Sequence, residues 1–288
     1  MRCLAPYIGM QDDLWKILFF QHLPPQIQLE LGDKLLRYSV DQIAHIADII
    51  EDIVHQPPDN RLYITDRNSG THFLIDSGSR FSIILPKSGK RKTLTPISYM
   101  EYEERKKIAI YGWQELVVDL GPKQTLKWNF LIADVIRPII GADFLTYFDL
   151  TIDFKRKTLI ENQSIPILRE GISTKRVHSS TNHCLCIIDS ISGLKFLIDS
   201  GAMRSLIPRM PNEKLTPLPY NRFVSANQSP VLEYGYKHLN VHLGLDEFFP
   251  WNFIIADIDV PLIGADFLSH FGLSVDLKGR KLFMNLSE

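Results

Sequence analysis

The chain is internally duplicated, and this duplication constrains its fold more strongly than any other feature of the sequence. The second member of each repeated stretch follows the first by 123 residues, as Asp199 follows Asp76. Counted from Trp128 and from Trp251, 15 of 23 aligned residues are identical. The sequence therefore predicts two copies of one domain of roughly 105 residues. Three stretches occur twice: FLIDSG at Phe73–Gly78 and Phe196–Gly201, WNF(L/I)IAD at Trp128–Asp134 and Trp251–Asp257, and IGADFL at Ile140–Leu145 and Ile263–Leu268.

The duplication divides the chain into four segments. Repeat 1 occupies residues 60–162 and repeat 2 occupies residues 183–288, and the polar stretch 163–182 between them predicts a linker because it has no periodicity. Residues 1–56 precede the repeats and have a helical pattern over Gln11–Val54. There, a capping box at Ser39 and Gln42 is followed by isoleucines three and four residues apart, which predicts an amphipathic helix.

Each repeat has the pattern of a mainly β domain that contains one short helix. Apolar runs such as Phe73–Asp76 and alternating runs such as Leu116–Leu120 predict strands, and repeat 2 contains their counterparts. The Gly-Ala-Asp motif precedes an apolar Phe-Leu-x-x-Phe patch, so a helix is expected with Asp143 or Asp266 near its start. An acidic side chain suits the unpaired amides of that position. A final hairpin is expected at Thr151–Ile160 and at Ser274–Met284.

Composition and charge exclude several classes of protein. With 45% apolar and 23% charged residues, the chain has the composition of a globular protein. A formal net charge of −1 gives no electrostatic attraction to nucleic acid or to a membrane surface. No apolar run approaches the roughly 20 residues of a membrane span, and the N-terminus lacks a secretory signal. Three cysteines do not make a disulfide scaffold, so the cytoplasm is the expected compartment.

The Asp-Ser-Gly motif is the strongest candidate for chemistry. Alone it favours a simple turn, but Asp76 and Asp199 each follow an apolar strand and each lie 65 residues before a glycine, Gly141 or Gly264. Two carboxylates that meet at close range share one proton and activate one water.

The residues that follow each aspartate fit a pair of this kind. Gly78 and Gly201 allow the close approach of the two turns, while Ser77 and Ser200 are expected to hold the carboxylates in plane. No metal or cofactor is predicted, and the pair Cys184 and Cys186 is interpreted as packing rather than as a zinc site.

These motifs resemble the retropepsins, the aspartic proteases of retroviruses and of Gypsy-type long-terminal-repeat retrotransposons. The resemblance rests on DSGSRFSIILP at Asp76–Pro86, DSGAMRSLIP at Asp199–Pro208 and the following IIGAD and LIGAD. It implies two closed barrel-like β domains that pair and contribute one aspartate each. It also implies hydrolysis of a peptide or polyprotein substrate by an activated water, without a metal. Residues 1–56 resemble the C-terminal part of a retrotransposon Gag capsid, as in a Gag-Pol polyprotein, so an element fragment and a derived protein both remain open.

Two departures from the retropepsin pattern concern the flap, the hairpin that closes over substrate. In repeat 2, FVSANQSPVLEYG at Phe223–Gly235 predicts a flap, and its candidate tip residues are Ala226, Asn227 and Gln228. In repeat 1, the matching stretch Met100–Gly112 is heavily charged, which is typical of a solvated face.

Three interpretations follow from these features. The first is an aspartic endopeptidase whose repeats pair within one chain, and the second pairs like repeats in a homodimer. The third is a non-catalytic scaffold derived from Gag and protease, which the altered flaps favour and the two intact aspartates oppose. The other repeated acids, Asp134 and Asp257, are interpreted like Asp143 and Asp266 as structural cap or turn residues rather than as catalytic ones. The repeated tryptophans, Trp128 and Trp251, are interpreted as core.

Overall fold

The computed structural model divides the chain into two compact units, 1–59 and 60–288. In the first unit the described positions Lys16, Ile17, Phe20, Gln21, Gln28 and Ile43 are helical, as the pattern over Gln11–Val54 predicts, and Ile43 is buried. The rest of that segment, and the predicted linker at 163–182, lie outside the described residues. The structure describes residues 59–87, 94–102, 106–121, 125–162, 183–210, 213, 215–218, 223–224 and 230–284, together with 16–17, 20–21, 28, 32, 37 and 43.

Repeat 1 consists of strands with one short helix near its end. Its described elements are β1 Tyr63–Thr65, β2 His72–Ile75, β3 Ile83–Ile84, β4 Ser98–Tyr102, β5 Lys106–Asp119, β6 Thr125–Ala133, β7 Ile139–Ile140, α1 Ala142–Tyr147, β8 Leu150–Asp153 and β9 Thr158–Glu161. Seven of these strands form one sheet in the order β1-β2-β7-β3-β6-β5-β4.

Repeat 2 follows the same order of elements, except that two strands stand where repeat 1 has the single long strand β5. They are β10 Cys186–Ile188, β11 Lys195–Ile198, β12 Leu206–Pro208, β13 Phe223–Val224, β14 Pro230–Val231, β15 Glu233–Val241, β16 Phe249–Ala256, β17 Leu262–Ile263, α2 Ala265–His270, β18 Leu273–Asp276 and β19 Lys281–Met284. Its main sheet has the order β10-β11-β17-β12-β16-β15, while β13 and β14 form a separate pair.

The same strand pairing places the two Asp-Ser-Gly motifs in equivalent positions. In repeat 1, β2 runs parallel to β7 with Ile75 opposite Ile140. In repeat 2, β11 runs parallel to β17 with Ile198 opposite Ile263. Because parallel strands end at the same edge of a sheet, each Asp-Ser-Gly turn lies directly beside an Ile-Gly-Ala-Asp segment.

A four-stranded sheet joins the two repeats, in the order β9-β8-β18-β19. The central pair is antiparallel and puts Ile152 of repeat 1 opposite Val275 of repeat 2, both fully buried. An ion pair between Lys278 Nζ and Asp149 Oδ2 at 2.7 Å also crosses between the repeats. The two repeats therefore lie within one compact unit rather than in separate ones.

The core is built from phenylalanines at matching positions of the two repeats. Phe73, Phe130 and Phe144 pack together in repeat 1, and Phe196, Phe253 and Phe267 do so in repeat 2. Each of these six side chains is at least 99% buried. Burial of such a side chain contributes about 1.5–3 kcal/mol. One apolar cluster contains residues of both repeats, so the repeats also share a core.

The predicted fold class is confirmed at the level of a mainly β structure. The short helix predicted in each repeat is present. Trp128 and Trp251 pack on the aromatic side chains of these helices, as expected for core residues. In the part of the chain that the structure describes, the strand orders are open and no sheet closes into a barrel. No helix there is both long and apolar enough to cross a membrane.

Candidate active site

Asp76 and Asp199 lie at the ends of equivalent strands and face each other between the repeats. The Asp76 amide donates to Ile140 O and the Asp199 amide donates to Ile263 O, both at 2.9 Å. Each aspartate is therefore fixed by the main chain of its own Ile-Gly-Ala-Asp segment. Their carboxyl groups hydrogen-bond to each other, so the structure brings together the two acids that the sequence singled out.

The glycine of each motif lies against the carboxyl group of the other repeat. A Cβ atom at Gly78 would lie 2.5 Å from Asp199 Cγ, and one at Gly201 would overlap Asp76 Cγ. Contacts under 3.0 Å do not occur for real Cβ atoms. The close approach predicted for these two glycines is therefore present, and any larger residue would separate the aspartates.

Main-chain amides hold one oxygen of each carboxyl group. Asp76 Oδ1 accepts hydrogen bonds from the amides of Gly78 at 3.0 Å and Ser79 at 2.8 Å. Asp199 Oδ1 accepts from the amides of Gly201 and Ala202, both at 3.0 Å. With Oδ1 held in this way, each carboxyl group has a fixed orientation.

Ser77 and Ser200 do not orient their own aspartates, contrary to the sequence-based expectation. The Ser77 hydroxyl donates to Ile198 O and the Ser200 hydroxyl donates to Ile75 O, each at 2.7 Å. Each hydroxyl also accepts from the amide of the other serine, at 2.8 and 2.9 Å. A hydroxyl has one proton to donate, and here it goes to a carbonyl of the other repeat. The two serines therefore link the repeats by hydrogen bonds next to the aspartates.

The environment of the pair favours retention of a proton. Burial and the neighbouring Asp199 charge raise the pKa of Asp76 well above its usual range, and burial also raises the pKa of Asp199. Two carboxylates this close repel each other when both are ionised, so one proton shared between them is the stable arrangement. A pair with one proton can act as base and acid at once.

A second polar network, present in both repeats, links each short helix to the segment that follows the Asp-Ser-Gly turn. In repeat 1 the amide and hydroxyl of Ser82 bind the Asp143 carboxylate at 3.1 and 2.7 Å, and the hydroxyl accepts from the Gly141 amide at 2.9 Å. Repeat 2 has the same three bonds at the same distances among Ser205, Asp266 and Gly264. These acids thus link each helix to the segment between the Asp-Ser-Gly turn and the next strand.

This network extends one expectation and adds two residues. The carboxylates of Asp143 and Asp266 accept from the first-turn amides of Phe144 and Phe267, each at 2.7 Å, as expected of an acid near the start of a helix. The same carboxylates also cross-link the helices to Ser82 and Ser205. Ser82 and Ser205 were missed by the sequence analysis. The signal was present, because the two serines keep the offset of 123 residues inside the matched motifs.

Two further acids form matched turns at the outer ends of the repeats. Asp66 accepts from the amides of Asn68, Ser69 and Asp119, and Asp189 makes the equivalent bonds in repeat 2. Although burial acts to raise it, a hydrogen bond from the Ser69 hydroxyl and these amide bonds hold the pKa of Asp66 below its usual value. Of the predicted turn residues, Asp134 donates its amide to Ala109 O. None of these acids contributes to the pair.

The two flap regions differ between the repeats. In repeat 1, β4 and β5 form a continuous hairpin with Ser98 opposite Ile110 and Tyr102 opposite Lys106. In repeat 2 the pairing within the described residues puts Phe223 opposite Val231 and Val224 opposite Pro230. Its predicted tip residues Ala226, Asn227 and Gln228 lie outside the described residues.

Cys184 is buried beside the site and donates its Sγ to Gly78 O at 3.3 Å. This contact fits the interpretation of the Cys184 and Cys186 pair as packing residues. Within the described ranges, no cluster of three or more His, Cys, Asp or Glu is placed to hold a metal ion.

Comparison of the sequence with models of known protein families and with curated proteins found no match.

Proposed function

We propose that the chain is an aspartic endopeptidase, in which Asp76 and Asp199 form one catalytic pair from the two repeats of a single chain. The observation that carries this proposal is the mutual contact of the two carboxyl groups, each with one oxygen fixed by two amides. Structural proteins have little use for two facing acids, because their repulsion opposes folding.

The geometry supports hydrolysis by an activated water. With one proton between them, the ionised carboxylate takes a proton from water while the protonated one donates to the carbonyl oxygen of the substrate. The water oxygen then bonds to the carbonyl carbon and forms a neutral diol. No covalent bond to the protein is needed, because water is the nucleophile.

Pairing within the chain is favoured over pairing between chains. The serine bonds between Ser77 and Ser200 and the shared sheet at β8 and β18 both connect repeat 1 to repeat 2 of the same molecule. In a homodimer of like repeats these groups would need new partners. From the resemblance to retropepsins, the proposal also includes a paired barrel-like arrangement, a retrotransposon origin and a peptide or polyprotein substrate. From the small number of cysteines it includes a cytoplasmic location.

The non-catalytic scaffold remains the second candidate, favoured by one observation. The repeat 1 hairpin carries the charged stretch predicted for a solvated face, with exposed Lys107 in β5 near its turn. A scaffold would keep the fold of the repeats without cleaving peptides.

A peptide library separates the two functions. The purified chain is incubated with the library from about pH 4 to pH 7, with and without a pepstatin-type inhibitor, and products are identified by mass spectrometry. The proposal expects inhibitable cleavage that disappears in Asp76→Asn. Exposed Asp257→Asn serves as the matched control and keeps activity. Absence of cleavage over the whole range, with a folded chain, would favour the scaffold.

A further inference from the structure

Two arginine side chains of repeat 1 adjoin the same tyrosine ring. The guanidinium carbons of Arg61 and Arg137 each lie 5.7 Å from the centre of the Tyr63 ring. Arg137 also donates a hydrogen bond from Nη1 to the Tyr63 hydroxyl. An arginine stays protonated at every pH that a folded protein tolerates, so these three residues, here called the Tyr63 cluster, carry two permanent positive charges.

The strand register puts the Tyr63 cluster on the same face of the sheet as the Asp76 carboxyl group. Tyr63 in β1 pairs with Leu74 in β2, and Leu74 pairs with Ile139 in β7. Side chains two residues apart along a strand lie on the same face. Asp76 follows Leu74 by two residues, one arginine of the cluster precedes Tyr63 by two, and the other precedes Ile139 by two. The cluster and the aspartate therefore share one face.

A peptide has to reach the aspartates from this face, because the opposite face belongs to the core. Phe73 and Ile75, which alternate with Leu74 along β2, are buried in the shared apolar cluster. From strand spacing and rise, the Tyr63 main chain lies roughly 8 Å from that of Asp76, a distance that an extended peptide covers in about three residues. The Tyr63 cluster is half-buried, so its polar atoms remain within reach of a side chain of such a peptide.

The corresponding positions of repeat 2 carry no cation. The offset of 123 residues replaces the two arginines of the cluster by Cys184 and Val260 and the tyrosine by Cys186. The backbone pairing is the same, because Cys186 pairs with Leu197 and Leu197 pairs with Leu262. Val260 is 45% exposed, and burial raises the pKa of the Cys184 thiol to about 12, so this thiol is neutral. The two sides of the aspartate pair therefore share one backbone arrangement and differ in charge.

The Tyr63 cluster has the chemistry of a site for a carboxylate. Among the described residues Arg137 forms no ion pair, and its one hydrogen bond goes to the Tyr63 hydroxyl. Guanidinium groups are planar and bind a carboxylate through two parallel N–H···O bonds. Since the two positive charges of the cluster repel each other, an anionic side chain bound beside them offsets that repulsion.

We propose that the Tyr63 cluster selects the substrate of the peptidase. The preferred peptide has Asp or Glu within about three residues of the scissile bond, on the side that lies over repeat 1. On the other side, over Cys184 and Val260, it has an apolar residue. This inference rests on the proposed function. Arg61 and Arg137 contact the substrate away from the reacting atoms, so they determine specificity.

The cleavage sites of a peptide library test this preference. The purified chain is incubated with the library at about pH 5.5, where a glutamate side chain is ionised, and the products are sequenced by mass spectrometry. We expect Asp and Glu to be enriched over Asn and Gln at one position on one side of the scissile bond, and apolar residues at the matching position on the other side. Acidic residues enriched on neither side, or equally on both, would overturn the inference.

Exchange of residues between the repeats provides matched variants. Arg137→Val should lower the ratio of kcat/KM for a Glu peptide to that for its Gln analogue by about 10- to 100-fold, as loss of a hydrogen bond to a charged group does. Val260→Arg should raise this ratio for peptides with Glu on the other side of the bond. Arg67→Val removes an exposed arginine from the turn after β1 and should keep the ratio. If Arg137→Val does not fold, Arg137→Gln decides, and an unchanged ratio contradicts the inference.

Binding without cleavage separates this inference from the proposed function. A fluorescent peptide with a reduced, non-hydrolysable central bond is prepared with Glu or Gln at each flanking position in turn, and its Kd is measured by fluorescence anisotropy. If no peptide is cleaved but Arg137→Val removes a preference for Glu in binding, the proposed function fails and the specificity site stands. If peptides are cleaved while both Kd and kcat/KM ignore the exchange of Glu for Gln, this inference alone fails.

Discussion

The amide of Ser77 donates to the hydroxyl of Ser200 at 2.8 Å, and the amide of Ser200 donates back to the hydroxyl of Ser77 at 2.9 Å. Both serines are fully buried, and each hydroxyl continues to a carbonyl of the opposite repeat. Because every donor and acceptor in this arrangement has its partner in the other repeat, the interface and the aspartate pair depend on each other.

Removal of one of these hydroxyls should destabilise the whole unit. Ser77→Ala leaves the Ser200 amide and Ile198 O buried without partners, which costs about 2–4 kcal/mol in the free energy of unfolding. Urea unfolding followed by fluorescence measures the change. Exposed Ser98→Ala is the matched control and is expected to change little. Equal stability of the two variants would show that the serine bonds do not hold the repeats together.

Gly78→Ala should impair catalysis because it increases the distance between Asp76 and Asp199. The added methyl group meets the Asp199 carboxyl group and pushes the two aspartates apart. We expect kcat/KM to fall by about 100-fold or more, as displacements near 1 Å in an active site do. Gly121→Ala adds the same methyl group where no atom lies within 4 Å and should leave the rate unchanged. Full activity in Gly78→Ala would contradict the proposed pair.

The intrachain pair can be tested by mixing and dilution. Asp76→Asn and Asp199→Asn should each abolish cleavage, and a mixture of the two variants should recover little activity, because each chain holds its own pair. Specific activity of the unmodified chain should not depend on its concentration. Recovery in the mixture, or loss of activity on dilution, would instead indicate pairing between chains.

Stability should fall as the pH rises through the titration of the pair. Burial and mutual repulsion raise the pKa of Asp76 in the folded state, so between the unfolded and folded pKa values only the folded chain holds the proton. By linkage, this contribution is complete below the unfolded pKa, about 4, and is lost as the pH rises toward the folded pKa. Urea titrations from about pH 4 to pH 7 should show a steeper loss in the unmodified chain than in Asp76→Asn. Parallel curves would contradict a raised pKa.

The rate of cleavage should depend on the protonation state of the same aspartate pair. Activity requires one carboxyl protonated and the other ionised, so it should peak in mild acid and decline as the last shared proton leaves. Initial rates with one peptide substrate across the pH range measure the profile. A rate that keeps rising from about pH 6 to pH 9 would point to a different nucleophile.

The sequence predicted which two aspartates meet in the candidate site, but it did not predict all of the hydrogen bonds around them. Two apolar strands that end in Asp-Ser-Gly, with a constant offset, were enough to predict that Asp76 and Asp199 meet. The role predicted for Ser77 was wrong, because the acceptor of its hydroxyl depends on where the backbone of the other repeat lies. No local pattern carries that information, since a strand-end hydroxyl next to an aspartate has several acceptors in reach.

The pairing of β8 with β18 was not predictable for a related reason. Both strands have alternating patterns that suit any half-buried neighbour, and nothing in Leu150–Asp153 specifies Leu273–Asp276 as its partner. The roles of Ser82 and Ser205, in contrast, were predictable from the sequence. Their positions inside the duplicated motif could have identified them, because matched polar residues on matched buried segments usually have matched partners.

The strand pair β8–β18 also sets the order in which the molecule becomes complete during its synthesis. Repeat 1 leaves the ribosome with its β8 edge unpaired and with Gly78 facing no carboxyl group. At about 5–20 residues per second, Asp199 follows Asp76 by roughly 6–25 seconds, and β18 follows later still. Until then the nascent chain holds only one aspartate of the pair and lacks the sheet that joins the repeats.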